Sequence, residues 1–156
     1  MSSMEQPGRQ AVRPQTLIAV RDVKASSAWY QTLLGLHGAG DPEHPHRLFY
    51  DRLLSGETLV LQLHRWDDEE HPNLMDADRA PPGHGVLLWF EVDDFDAAVA
   101  RVRRLGARVI EEPHVNPAPQ HREIWIQDLD GYFVVLASPD GEATRPRVER
   151  GENPGP

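Results

Sequence analysis

The chain of 156 residues contains no cysteine, which removes disulfide scaffolds, zinc ribbons, thiol nucleophiles and iron–sulfur clusters together. A metal would have to sit on His, Asp, Glu or Gln. Long hydrophobic runs are also missing. The longest uninterrupted apolar stretch is Tyr132 to Ala137, against the ~20 residues that span a bilayer, and the start MSSMEQPGRQ has no apolar signal-peptide core. These absences predict a cytoplasmic protein with no membrane partner. Positive charge is scarce, with 16 Lys and Arg against 25 Asp and Glu and a formal net charge of −9. Such a chain repels phosphate backbones, so nucleic acid is not an expected partner. No nucleophile motif, phosphate-binding glycine loop or zincin pair occurs, and LSGET lacks the lysine and glycine spacing of a P-loop.

The length suits one domain or two tightly joined half-size units. Residues 1–14 and 140–156 are rich in Gly, Pro, Arg and Glu and predict disordered tails. Between them the chain repeats itself. LIAVRDVKASSAWYQTLLG and VLLWFEVDDFDAAVARVRRLG share an order of β-rich run, aspartate, helical stretch and closing glycine, with Asp22 and Asp94 72 positions apart and Gly35 and Gly106 71 apart. Each aspartate predicts a helix N-cap, and each glycine the left-handed residue that ends the helix. Two hairpins follow the helices, RLFYDRLL-SG-ETLVLQLH and REIWIQ-DLDG-YFVVLA, with Gly56 and Gly131 in the turns. The stretch 65–84 has neither period and carries three prolines; it reads as a linker. The expected organisation is a first unit at 15–64 and a second at 85–139.

A helix packed on a sheet needs an apolar face beneath it, and strand side chains alternate between faces. Val86, Leu88, Phe90 and Val92 form one apolar set, which leaves Leu87, Trp89 and Glu91 opposite. Leu59, Leu61 and Leu63 stand against Val60, Gln62 and His64. Ile124 and Ile126 take the core side, with Arg122 at the rim, and His121, Glu123 and Trp125 face away. A face carrying Trp, His, Glu and Gln suits a ligand cavity.

The paired units resemble the vicinal oxygen chelate superfamily, the glyoxalase, bleomycin-resistance and extradiol-dioxygenase group. VRDVKASSAWYQTLLG is similar to that family's D-[hydrophobic]-x-x-S-x-x-[FW]-Y-x-x-x-L-G helix, and DLDGYFVVLASP to its D-P-D-G-N-x-[IV]-E-L hairpin. The resemblance covers residues 15 to 139. It implies an α+β fold of two βαβββ modules whose curved mixed sheets enclose a cleft with the helices outside, and commonly a homodimer. Metal-using members carry ligands at positions that correspond here to Gln15, Leu87 and Val135, with Gln62 or a neighbour as the fourth. Leu and Val have no donor atom and Gln is a weak neutral one, so the family's metal site is expected to be lost and no cofactor is expected.

His44, His46, His71 and His84 lie in Pro-rich or acidic loops, where solvation is the default. The acidic run at 67–70 also reads as solvated linker. His114 belongs to a loop or strand end that could overhang the cleft. His121 and Glu123, two apart in a strand, share a face and could share a proton, flank a cation or simply form a polar pair at a sheet edge. Trp89 and Trp125 are either core filling or a stacking platform. Glu91, set among LLWF and Val, is expected to be desolvated with a raised pKa. The reading these residues support is a metal-independent small-molecule-binding protein of the bleomycin-resistance type. Its ligand would be an aromatic compound, with cations favoured, contacting Trp89, Glu91, His121, Glu123, Trp125, Gln62, His64 and Gln15. The alternative is an isomerase, lyase or dioxygenase of the superfamily that uses Glu91, His121 and Glu123 as acid–base groups or as a displaced metal site. A third option is a protein-interaction module with a filled cleft.

Overall fold

The computed structural model describes residues 13–41, 43–66 and 74–144. The residues expected to form tails at 1–12 and 145–156 lie outside these, as do residues 67–73 of the linker with its acidic run and His71.

The first unit runs β1 (Leu17–Val20), α1 (Val23–Leu34), β2 (His37–Gly38), a 3-10 turn (Pro45–Leu48), β3 (Tyr50–Ser55) and β4 (Thr58–Arg65). The second runs β5 (Leu87–Glu91), α2 (Phe95–Leu105), β6 (Arg108–Asn116), β7 (His121–Gln127) and β8 (Phe133–Ala137), followed by a 3-10 turn at Glu142–Thr144. Two βαβββ modules result, each with one four-stranded mixed sheet, ordered β1-β4-β3-β2 and β5-β8-β7-β6. In both, the first strand pairs parallel with the last, and the hairpins pair antiparallel. No described helix is long and apolar enough to cross a membrane.

The caps lie where the sequence puts them. Asp22 accepts the Ala25 N–H at 2.9 Å and Asp94 the Ala97 N–H at 3.0 Å, while Gly35 (φ 66°) and Gly106 (φ 60°) end the helices in the left-handed conformation.

The helix-covered faces of both sheets drain into one core. Ile18, Val20, Leu53, Leu61 and Leu63 from the first sheet and Leu88, Ile124, Ile126, Val134 and Leu136 from the second meet Val23, Tyr30 and Leu33 of α1 and Phe95, Ala98 and Val102 of α2. The helices touch directly, with Arg101 Nε donating to the Leu33 carbonyl at 2.8 Å. The parity reading holds for Leu88, Ile124 and Ile126. Phe90 is only partly buried against this core, and Val86, just ahead of β5, is exposed.

Polar groups fasten the modules to each other. Buried Asp128, at the end of β7, accepts the Tyr30 hydroxyl at 2.6 Å and the backbone N–H groups of Asp130 and Tyr132 at 2.9 and 2.8 Å. Asp130 accepts the Arg21 N–H at 2.8 Å and the Ser26 hydroxyl at 3.3 Å, and Tyr132 donates its hydroxyl to the Ala19 carbonyl at 2.8 Å. Burial, reinforced by the Asp128 charge, holds the Tyr30 phenol well above its ordinary range and pushes Tyr132 up to about 12. Both therefore remain donors at any physiological pH.

Residues 140–144, which composition assigns to a disordered tail, are ordered. The Gly141 N–H bonds the Pro119 carbonyl, the Ala143 N–H bonds the Gln120 carbonyl, and Arg122 pairs with Glu142 at 2.7 Å, so residues 140–144 lie as a strap along the start of β7.

Candidate functional site

Strand register puts the residues of interest in rows across the outward face of the second sheet. Trp89 lies opposite Val135, and Val135 opposite Trp125, giving a row of Trp, Val and Trp over three adjacent strands. In the next row Glu91 is opposite Ala137, Ala137 opposite Glu123, and Glu123 opposite His114 on β6. Val135 is fully buried, whereas Trp89 is 44% exposed and Trp125 half-buried. The tryptophans therefore flank an apolar floor and are not core filling beneath the helices.

Glu123 is the centre of a buried network. It is 4% exposed, and β7 is an interior strand, so this is no pair at a sheet edge. Its Oε1 accepts His114 Nε2 at 3.1 Å and Trp125 Nε1 at 3.2 Å, its Oε2 accepts His121 Nε2 at 2.7 Å, and Asn116 adds a further side-chain bond. Burial works against the Glu123 charge, yet the donors from His121, Trp125, His114 and Asn116 outweigh it and hold the carboxyl below its ordinary range. A carboxylate bonded by four side chains is held firmly in place, and in turn it orients the rings of His114, His121 and Trp125.

The two histidines each face acceptors on both ring nitrogens. His121 meets Glu123 through Nε2 and Asp140 through Nδ1 at 3.1 Å; His114 meets Glu123 through Nε2 and the Glu112 carbonyl through Nδ1 at 2.8 Å. A neutral imidazole has one N–H, so satisfying both contacts requires the imidazolium. Both pKa values are raised accordingly. For His121, burial opposes the charge and the bonds to Glu123 and Asp140 prevail; for His114 the Glu112 carbonyl leads, against burial and with help from Glu123 and Glu111.

A cavity of about 430 Å3 opens beside this network, lined by Trp89, Glu91, His121, Ala137, Ser138, Pro139 and Asp140. The Trp89 ring tilts toward His121, with centroids 5.7 Å apart. Glu91 is exposed here, so the desolvation expected from its apolar neighbours is absent: β5 is a sheet edge, and the side chain points out of the sheet toward the cavity. A second groove of about 530 Å3 runs between Val86–Phe90 and the first module's Thr16 and Thr58–Leu61, so Trp89 fronts both spaces.

Gln15, Gln62 and His64 form a separate group on the first sheet. Gln62 accepts the Tyr50 hydroxyl and donates to the Gln15 carbonyl at 3.0 Å; His64 contacts the Arg65 carbonyl at 2.6 Å, and its ring lies tilted beside Tyr50, centroids 6.2 Å apart. Both ends of the Gln62 amide are thus engaged within its own module. Asn116 and Asp140 are the site residues that the sequence did not single out, and His114, expected at a loop or strand end, lies within β6. The cross-strand position of His114 and Asn116 depends on the bulged β6–β7 register, which no short motif encodes.

The positions at which metal-using relatives carry ligands do not fit a metal here, because Leu87 and Val135 offer no donor. Among the described residues no group of three or more His, Asp or Glu is arranged to hold a metal ion.

Residues 13–136 match the Glyoxalase/Bleomycin resistance protein/Dioxygenase superfamily, and the chain belongs to it. No curated protein matches. Solved structures agree in fold. TioX from Micromonospora sp. ML1 aligns at 16% identity and TM-score 0.64 over 82% of this chain and 98% of its own. A glyoxalase/bleomycin resistance protein/dioxygenase family enzyme from Burkholderia phytofirmans PsJN aligns at 20% identity and TM-score 0.64 over 80% and 95%. A protein from Agrobacterium tumefaciens str. C58 aligns at 22% identity and TM-score 0.63 over 87% and 98%.

Proposed function

We propose that this is a metal-independent binding protein of the bleomycin-resistance type, which holds a planar aromatic molecule on the second sheet. The observation that carries the reading is the Trp89, Val135, Trp125 row. Strands lie ~4.8 Å apart, so side chains two strands apart are separated by roughly 9.6 Å at their bases. A planar ligand between two rings needs about 7 Å, the sum of two stacking distances of ~3.5 Å, which a modest inward lean of the indoles supplies. Val135, closed to solvent in the structure and standing where a metal ligand would otherwise project, becomes the apolar floor once a ligand parts the two indoles. Trp125 is oriented by its bond to Glu123, and Glu91 is the acidic group left open to a cationic substituent. The protein acts as a homodimer in the cytoplasm: Leu17, Leu87, Trp89 and Phe133 are exposed apolar side chains, and β1 and β5 are both open sheet edges that a second copy would cover.

A second reading is favoured by His121 on the cavity wall: its Nδ1 partner Asp140 is largely exposed, so a bound substrate could displace Asp140 and take the Nδ1 proton while Glu91 accepts one. Calorimetry with proflavine, a planar cation, and acridone, its neutral counterpart, separates the two. For a binder, Trp89→Ala and Trp125→Ala each weaken proflavine by ~1–3 kcal/mol, and Glu91→Gln weakens proflavine but not acridone. Wild-type affinity in both tryptophan variants sinks the stacking proposal. Chemical conversion of a bound compound, lost in His121→Gln with affinity unchanged, would establish the enzyme instead.

A further inference from the structure

Fifteen of the chain's sixteen basic residues are arginine; Lys24 is its one lysine. It stands at the mouth of a cavity of about 470 Å3 on the helix side of the first module, away from the Trp89 and Trp125 face. The cavity lies between α1 and the 3-10 turn at Pro45–Leu48. Helix α1 contributes Lys24, Ser27, Ala28 and Gln31, spaced as one helical stripe, and the small Ser27 and Ala28 leave the hollow.

The floor is polar and internally satisfied. Ser27 (5% exposed) donates to Asp51 (4% exposed) at 2.6 Å, and Gln31 Nε2 donates to Ser27 Oγ at 2.8 Å. Arg47 lies 3.6 Å from the Asp51 carboxylate and donates to the carbonyls of Ala39 and, at 2.9 Å, Gly40. Its guanidinium rests on Gly38, where a Cβ would come within 2.6 Å of it. The Asp51 charge is therefore matched inside the protein, and Arg47 is a strut holding the cavity wall. Ala28, Pro45 and Leu48 are the apolar walls, and Leu48 is 57% exposed. Lys24 has no hydrogen-bond or ion-pair partner among the described residues. The lining thus combines uncovered apolar surface with one unmatched ammonium beside a closed polar floor.

We propose that this cavity binds a small apolar carboxylate, its hydrocarbon body against Ala28, Pro45 and Leu48 and its carboxylate on the Lys24 ammonium. Its volume lies within the range of small-molecule sites. A charge-assisted contact at an exposed lysine is modest, so the apolar body supplies the rest of the affinity. Glu43, exposed on the facing loop, is the one lining carboxylate not matched by Arg47, and it selects against additional negative charge.

The single lysine makes the site directly observable. Reductive methylation with 13C-formaldehyde preserves the charge and places a labelled dimethylammonium on Lys24, with the α-amine as the only other labelled amine. Titration with 4-phenylbutyrate should give a saturable shift of the Lys24 signal, with a dissociation constant of about 1 mM or tighter. The amine 4-phenylbutylamine should give none. By calorimetry on unmodified protein, Lys24→Gln should weaken 4-phenylbutyrate about fivefold and Lys24→Arg should retain most affinity. Leu48→Asp should abolish binding, Glu43→Gln should tighten it, and Trp125→Ala should leave it unchanged, so this site stands or falls apart from the tryptophan face. The proposal is overturned by an unsaturable or absent shift, by equal shifts from acid and amine, by unchanged affinity in Lys24→Gln, or by loss of binding in Trp125→Ala.

Discussion

Removing one oxygen from Tyr30 tests the account of how the modules are joined. Asp128 is 9% exposed, its Oδ1 is held by two backbone N–H groups, and its Oδ2 receives the Tyr30 hydroxyl. Tyr30→Phe fills the same space and leaves Oδ2 without that donor. A hydrogen bond to a charged group contributes ~1.5–3 kcal/mol, and the slight exposure of Asp128 lets water recover part of the loss, so the expected cost is about 2 kcal/mol. Tyr132→Phe is the internal standard, since its hydroxyl meets a neutral carbonyl at 2.8 Å, and should cost ~1 kcal/mol. The pH dependence carries a sign. Burial raises the Asp128 pKa above 3.8, against the opposing bonds from Tyr30 and from the Tyr132 and Asp130 N–H groups. A folded-state acid pKa above the unfolded value means that stability falls as pH rises from about 3.8 through the folded value. Tyr30→Phe removes one of the bonds that favour the carboxylate, so its cost should be full at neutral pH and shrink toward ~1 kcal/mol below pH 3.8, where the acid is neutral in both states. Urea unfolding followed by circular dichroism at pH 7 and pH 3.5 measures all of this. A cost for Tyr30→Phe no larger than for Tyr132→Phe at pH 7 would refute the clamp.

The His114, Glu123, His121 network makes a second pH prediction. The raised histidines contribute stability fully below their unfolded value of 6.5 and lose it as pH rises through their folded values, while Glu123, lowered, contributes above 4.5 and loses it as pH falls. The stability difference between wild type and Glu123→Gln should therefore peak between about pH 4.5 and 6.5; a difference independent of pH would exclude imidazolium pairing. Arg122 bonds Asp96 at 2.9 Å and Glu142 at 2.7 Å from a partly exposed position, so Arg122→Gln should cost no more than ~1 kcal/mol globally yet speed amide exchange at Ala143 and Gly141. Unchanged exchange there would show that the strap is held by its backbone bonds alone.

What could be read from residues alone was whatever local chemistry dictates. A capping aspartate acts on an N–H three residues on, a closing glycine on its own φ, and strand parity on neighbours two apart, so caps, hairpins and the inward placement of Ile124 and Ile126 needed no tertiary knowledge. Glu91 was misjudged because apolar neighbours in sequence bury a side chain only when something covers that face, and β5 is an edge strand. The network at Glu123 is only half legible: His121 and Trp125 follow from strand parity, but His114 and Asn116 come from β6 across a register interrupted by two shifts. Asp140 falls in a stretch whose Gly and Pro content signals disorder, and it is the tertiary bonds of Asp140, Gly141, Glu142 and Ala143 that carry order past β8.

The motifs that mark the superfamily here have a mechanical explanation. Ser26 and Tyr30 come from the helix motif, and Asp128 and Asp130 from the hairpin motif; in the fold they bond to each other across the module boundary, and Tyr132, which stands where the hairpin motif has Asn, adds a bond to β1. A motif whose side chains are consumed in joining modules must accompany the fold whatever the site does, so it identifies the family without reporting an activity. The residues that would report one lie on the outward faces of the strands, where substitution leaves the clamp intact. At Leu87 and Val135 the information was available from residue type, because a side chain without a donor atom excludes ligation in any geometry. At His121 it was not, because a histidine becomes an imidazolium, a neutral acceptor or a ligand according to what stands on both sides of it. Here the two sides are Glu123 and Asp140. What distinguishes the polar groups around this cavity is therefore which of them the fold has already paired: His121, Glu123 and the Trp125 N–H are bonded to one another, while Glu91 stands exposed on the cavity wall.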